Sequence, residues 1–144
     1  MATDKSKTLM ASIRLMNEKL HFEGKVDGNE QVSIDYTPPL GDNLGYTSLE
    51  LFLLSLSSCI GSAILVMLRK MKKNIDFFEI NSTGYRNEDH PTGFHTIRMQ
   101  VNLESDNITS ADMTKAIDLI KNICPVLSML DEKVNVIIDH KILV

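Results

Sequence analysis

Hydrophobic and polar residues alternate with period two near both ends of the chain and give way to a long apolar run between them. Leu9, Ala11, Ile13 and Leu15 alternate with Met10, Ser12, Arg14 and Met16, and Val32, Ile34 and Tyr36 repeat the pattern. A weaker strand lies between, around His21 and Phe22. After the apolar run come "FFEINSTGY" and "FHTIRMQVNLE", where Ile97, Met99, Val101 and Leu103 alternate with Arg98, Gln100 and Asn102. Period two sends successive side chains to opposite faces of a sheet, so all these stretches predict half-buried antiparallel strands. A second helix is predicted over 110–123, and "VNVIIDHKI" closes as a strand. The order βββ-α-ββ-α-β predicts an α+β fold. The densest turn signal, "DYTPPLGDNLGYTS" at 35–48, separates two kinds of sequence rather than two domains. Residues 1–144 are therefore read as one domain, with 1–8 a flexible N-terminus.

The apolar run is the segment 48–70, in which no residue from Leu51 to Leu68 is charged. A bilayer span needs about 20 predominantly apolar residues. This run falls short and contains Ser55, Ser57, Ser58, Gly61 and Ser62. Its start reads as a capping box, Thr47-Ser48-Leu49-Glu50, in which Thr47 and Glu50 each accept from the other's backbone N–H. Its exit carries Arg69, Lys70, Lys72 and Lys73, cations suited to the negative end of a helix dipole. The prediction is a soluble core helix, buried on most sides because it is apolar nearly all round. One small domain struggles to surround such a helix. Ser55, Ser58 and Ser62, spaced i, i+3, i+7, would let the backbone of a second subunit approach closely, so a homodimer is expected. The alternative is that the domain's own sheet and second helix cover it.

Composition narrows the chemistry. A net charge of −4 without a basic patch disfavours nucleic acid. Two cysteines are too few for a secreted disulfide scaffold, so a reducing cytoplasm is the expected compartment. His21, His90, His95 and His140 are scattered, and no metal site is predicted. The two thiols remain. Cys59 lies at mid-helix with Ser55, Ser62 and Ala63 on its own face, leaving space beside the sulfur. Cys124 follows Met113, Ile117 and Ile120 on one stripe and points to the core, and Pro125 breaks the helix there. Packing alone is the competing explanation, since free cysteine is among the most buried residue types.

The wording of both cysteine sites resembles the OsmC/Ohr family, the osmotically inducible and organic-hydroperoxide-resistance proteins. The first motif is matched by Gly45, Thr47, Glu50, the apolar stretch 51–58 and Cys59, and the second by Cys124-Pro125-Val126. The resemblance runs from about residue 9 to the end of the chain. It implies an OsmC-like fold, an intertwined homodimer with active sites at the subunit interface, and a thiol-dependent reductase of organic hydroperoxides. It further implies that Cys59 attacks the peroxide and becomes a sulfenic acid, and that Cys124 condenses with it to a disulfide. No cofactor is implied beyond an external dithiol reductant, and an apolar pocket around the thiol would favour bulky hydroperoxides. Glu50 is a member of the family's site. Here it precedes Cys59 by nine residues, about 13.5 Å along a helix and half a turn around it. Glu50 therefore either serves the other subunit's thiol or is only a cap.

Two positions depart from the family. Ser48 replaces a helix-start proline. The arginine that peroxidatic members hold over the thiolate is missing from its usual place, since no lysine or arginine lies between Gln31 and Glu50. Only Arg14, Lys19 and Lys25 are available in the N-terminal strands. Thiolate formation needs a nearby cation or a helix N-terminus. Without a replacement the sequence predicts a slow peroxidase, and the alternative function is a non-catalytic dimer that binds a small apolar ligand at its interface. A thiol sensor or chaperone-like protein is the third reading. The loop 84–95 reads as a solvated hairpin turn.

Overall fold

The computed structural model describes residues 4–143, so the first three residues of the expected flexible start lie outside the described residues. Asp4 to Thr8 form an exposed turn, in which the Asp4 carboxylate accepts from the N–H and hydroxyl of Ser6. The chain folds as two compact units that meet in sequence between Leu51 and Phe52.

The first unit holds an antiparallel sheet of β1 (Ser12–Leu15), β2 (Phe22–Lys25) and β3 (Val32–Ile34) in that order. The half-burial expected of β1 is corrected here: all four of its residues are exposed, and Leu9, Met10, Ile13, Leu15 and Met16 all remain open. Period two sorts side chains to two faces but supplies no layer to cover them. After β3 the chain turns around a buried carboxylate. Asp35 is 2% exposed and accepts from the backbone N–H groups of Tyr36, Asp42 and Leu44. Burial disfavours its charge, but those three N–H groups, with His21 nearby, outweigh this and hold the carboxyl below its ordinary value. Gly41 fits because a Cβ there would strike the Tyr36 carbonyl and the Asp35 side chain.

Helix α1 (Ser48–Lys70) opens on the expected capping box: the Thr47 N–H donates to Glu50 Oε1 at 2.8 Å, and the Glu50 N–H to Thr47 Oγ1 at 3.2 Å. It ends without glycine. Lys72 takes φ 59°, its N–H donates to the Arg69 carbonyl, and the Lys73 N–H reaches back to Leu68. This is a Schellman closure with lysine in the left-handed position. Lys73 then fixes the exit, its Nζ lying 3.1 Å from Asp112 and donating to the Asn107 carbonyl.

The second unit is built on the sheet β4 (Phe77–Arg86), β5 (Phe94–Glu104) and β6 (Asn135–Leu143), in order β4-β5-β6. The pair β4/β5 is an antiparallel hairpin, and β5/β6 is parallel. A parallel pair needs a crossover, and α2 (Ser110–Ile120) and the single turn α3 (Pro125–Ser128) supply it. One face of β5, Ile97, Met99, Val101 and Leu103, is fully buried with Leu56, Ile60, Ile64 and Leu68 of α1 and Met113, Ala116 and Ile120 of α2. Gly61 lets the Phe78 and Ile80 side chains come against α1. The observed order thus adds only α3 to the expected βββ-α-ββ-α-β. The hairpin loop is shorter than expected, because β4 runs to Arg86 and β5 starts at Phe94. Arg86 donates to the Thr92 carbonyl and hydroxyl across it.

Helix α1 is the expected core helix, packed into the core along one edge. It is long and apolar enough to cross a membrane, yet only Leu56, Ile60, Gly61, Ala63, Ile64 and Leu68 are buried. Those residues form the core edge, while Leu54, Ser55, Ser58, Ser62 and Val66 are exposed on another face.

Candidate functional site

Cys59 lies on α1 between the buried Leu56 and Ile60, and its own side chain is partly exposed. Ser55, Ser58 and Ser62 beside it are open, and Ala63 is buried. Cys124 comes from the crossover. Helix α2 begins on a second capping box, Thr109 with Asp112, and ends at Ile120, three residues short of the expected boundary. The N–H groups of Asn122 and Ile123 tighten to carbonyls three residues back, which closes the helix. Pro125 excludes the helical conformation from the residue before it. Cys124 accordingly takes φ −89° and ψ 106°, leads into α3, and is 2% exposed.

These two elements bring the sulfurs together. Cys124 Sγ donates to Cys59 Sγ at 2.8 Å, and both cysteines are free thiols. The pair joins a buried thiol to a partly exposed one, from positions 65 apart in the chain. Burial pushes the Cys124 thiol up from its ordinary 9.0 to about 11, and its hydrogen bond to Cys59 works in the same direction. The backbone N–H groups of Leu127 and Val126 offset only part of this. Cys124 is therefore held as a thiol at neutral pH.

Chemically, two thiols so placed can give up two electrons together and close a disulfide with little movement. Among the described residues no cationic side chain hydrogen-bonds to either sulfur, and no cation contributes to the Cys124 balance. Of Arg14, Lys19 and Lys25, two are engaged in their own unit, Arg14 with Glu23 at 3.4 Å and Lys19 with Asp42 at 2.7 Å.

Glu50 stands in its capping box. The Thr47 backbone N–H, joined by the Thr47 side chain, holds its carboxyl below the ordinary value. An open groove of about 360 Å³ lies elsewhere, lined by Thr114, Ile117, Asp118, Ile138, Asp139 and His140, and contains neither cysteine. Among the described residues no three histidine, cysteine or acidic side chains gather as a metal site. Sequence reasoning also missed the structural role of Asp35 in the first unit, whose signal was an aspartate opening a loop rich in proline and glycine.

A family model described as OsmC-like protein matches residues 41–139. Among solved structures, the chain is similar to an OsmC like protein from Mycoplasma pneumoniae, at 19% identity over 96% of this chain and 99% of that one, with a TM-score of 0.82. A hypothetical protein from Aquifex aeolicus has 22% identity over 95% and 97%, with a TM-score of 0.81. The organic hydroperoxide resistance protein OhrB of Bacillus subtilis has 19% identity over 93% and 98%, with a TM-score of 0.66. No curated protein matches. At these identities the structural likenesses establish the fold.

Proposed function

The chain belongs to the OsmC-like family, and we propose that it is a two-thiol redox protein of the cytoplasm that reduces organic hydroperoxides. The observation that carries this reading is the 2.8 Å approach of a partly exposed and a buried free thiol. The printed name of the Bacillus subtilis neighbour supports the substrate class. Cys59, the reachable sulfur, attacks the terminal oxygen of the hydroperoxide as its thiolate. The O–O bond breaks, Cys59 becomes a sulfenic acid, and the alkoxide leaves as an alcohol after taking up a proton. Cys124 then attacks the sulfenic sulfur, water departs, and a disulfide remains for an external dithiol to reduce. Neither step calls on a metal, flavin or haem.

A homodimer is part of the proposal. Leu9, Met10, Ile13, Leu15 and Met16 in the first unit, and Leu54 and Val66 on α1 in the second, are large apolar side chains open to solvent that a second copy would cover. In such a dimer Glu50 of one subunit is available to the thiols of the other.

The test is the intact mass under non-reducing conditions after one equivalent of cumene hydroperoxide. A loss of about 2 Da, the two thiol hydrogens, supports the pair. Cys59→Ser removes the reaction, while Cys124→Ser consumes one equivalent and accumulates sulfenic acid. Thiols left unmodified favour a second reading, an OsmC-like dimer that holds a small apolar ligand without turnover. The engagement of Arg14 and Lys19 with carboxylates of their own unit supports that reading.

A further inference from the structure

We propose that the Cys59–Cys124 pair also oxidises by thiol–disulfide exchange, and that its preferred electrophiles are small uncharged organic disulfides rather than hydroperoxides. This rests on the reading of Cys59 as the entry thiol and Cys124 as the resolving thiol.

The reasoning concerns the leaving group. Breaking an O–O bond sheds an alkoxide, whose charge an enzyme ordinarily meets with a fixed cation or aligned donors. Among the described residues the hydrogen-bonding partners of the sulfurs are each other and the backbone N–H groups of Val126 and Leu127, and those N–H groups face Cys124. Breaking an S–S bond sheds a thiolate, whose conjugate acid has a pKa near 8.5, so the leaving group carries its own charge without help. Both reactions start from the same Cys59 thiolate, and the difference therefore lies in what departs. The pair is also arranged for exchange. Cys59 is partly exposed beside the open Ser55, Ser58 and Ser62, and a thiol 2.8 Å away stands ready to displace the second fragment. An uncharged substrate suits a pair to which, among the described residues, no cationic side chain is hydrogen-bonded.

The balance closes without a further reagent. The Cys59 thiolate attacks one sulfur of R–S–S–R, that S–S bond breaks, and R–S⁻ leaves with the first proton, giving the mixed disulfide on Cys59. Cys124 loses its proton to the second fragment as it attacks Cys59 Sγ. The products are the Cys59–Cys124 disulfide and two R–SH. The protein is oxidised by two electrons and the small disulfide is reduced by two.

The fully reduced chain is mixed in parallel with bis(2-hydroxyethyl) disulfide and with tert-butyl hydroperoxide, and oxidation is followed by intact mass and by released thiol. The disulfide is expected to oxidise the pair at least about tenfold faster, releasing two equivalents of 2-mercaptoethanol. Cys124→Ser, checked for native circular dichroism, should stop at the mixed disulfide with one equivalent released. Faster oxidation by the hydroperoxide overturns this inference and leaves the proposed function standing. Reaction with neither reagent overturns both. The rate comparison uses the native chain alone, so the inference stays testable if the variant fails to fold.

Discussion

At the scale of single residues, the buried thiol of Cys124 ties redox chemistry to stability. Its folded-state pKa, about 11, lies above the 9.0 of an ordinary thiol. A group raised in this way gives its full contribution below the unfolded value and loses it as pH climbs through the folded one. Between pH 9 and 11 the unfolded chain releases this proton while the folded chain keeps it, so unfolding becomes progressively easier. Denaturant midpoints of the reduced protein should fall across that window, and the fall should be shallower in Cys124→Ala. An equal slope in both proteins would remove Cys124 as its source. Asp35 is the opposite case, a buried carboxylate held charged by backbone donors. Close packing around it gives Gly41→Ala an expected cost of about 1–3 kcal/mol, measured as loss of unfolding free energy, because the new Cβ meets backbone and carboxylate together.

Among the elements, α1 carries a local conflict at its exit. Lysine in the left-handed region costs about 1 kcal/mol relative to glycine, which adopts it freely. Lys72→Gly should therefore raise stability by about 0.5–1 kcal/mol, and an unchanged or lowered melting temperature would count against the closure described at Leu68 and Arg69. This feature was not legible beforehand, since four cations at a helix end read as dipole partners and only backbone geometry reveals which one bends. The elements that were legible share a physical reason. The alternation of Ile97, Met99, Val101 and Leu103 meets α1 and α2, so pattern and burial agree. The alternation of β1 meets no layer of its own unit, and there the pattern predicted a strand but misjudged its burial. At the site, Pro125 announced the break that exposes Cys124 to its partner. The early end of α2 depended on carbonyl pairings that leave no mark in the residue pattern.

For the whole molecule, the uncovered apolar surface sets an expectation about assembly. Sedimentation at micromolar concentration should give twice the chain mass of 16.2 kDa. Ser58→Arg, on the open face of α1, should dissociate or unfold that assembly, whereas a stable monomer of the native chain would dismiss the dimer. The crossover between β5 and β6 has a consequence of a different kind. Because Cys124 rides on it and Cys59 on α1, a bond between positions 65 apart would fasten the chain between them into a ring containing β4, β5 and α2. A ring of that size restricts the unfolded chain enough to favour the native state by roughly 4 kcal/mol. The oxidised protein should thus resist guanidinium and trypsin at doses that dismantle the reduced one, and equal resistance in both forms would refute this. Each molecule's lifetime would then report whether it had been oxidised since it was last reduced.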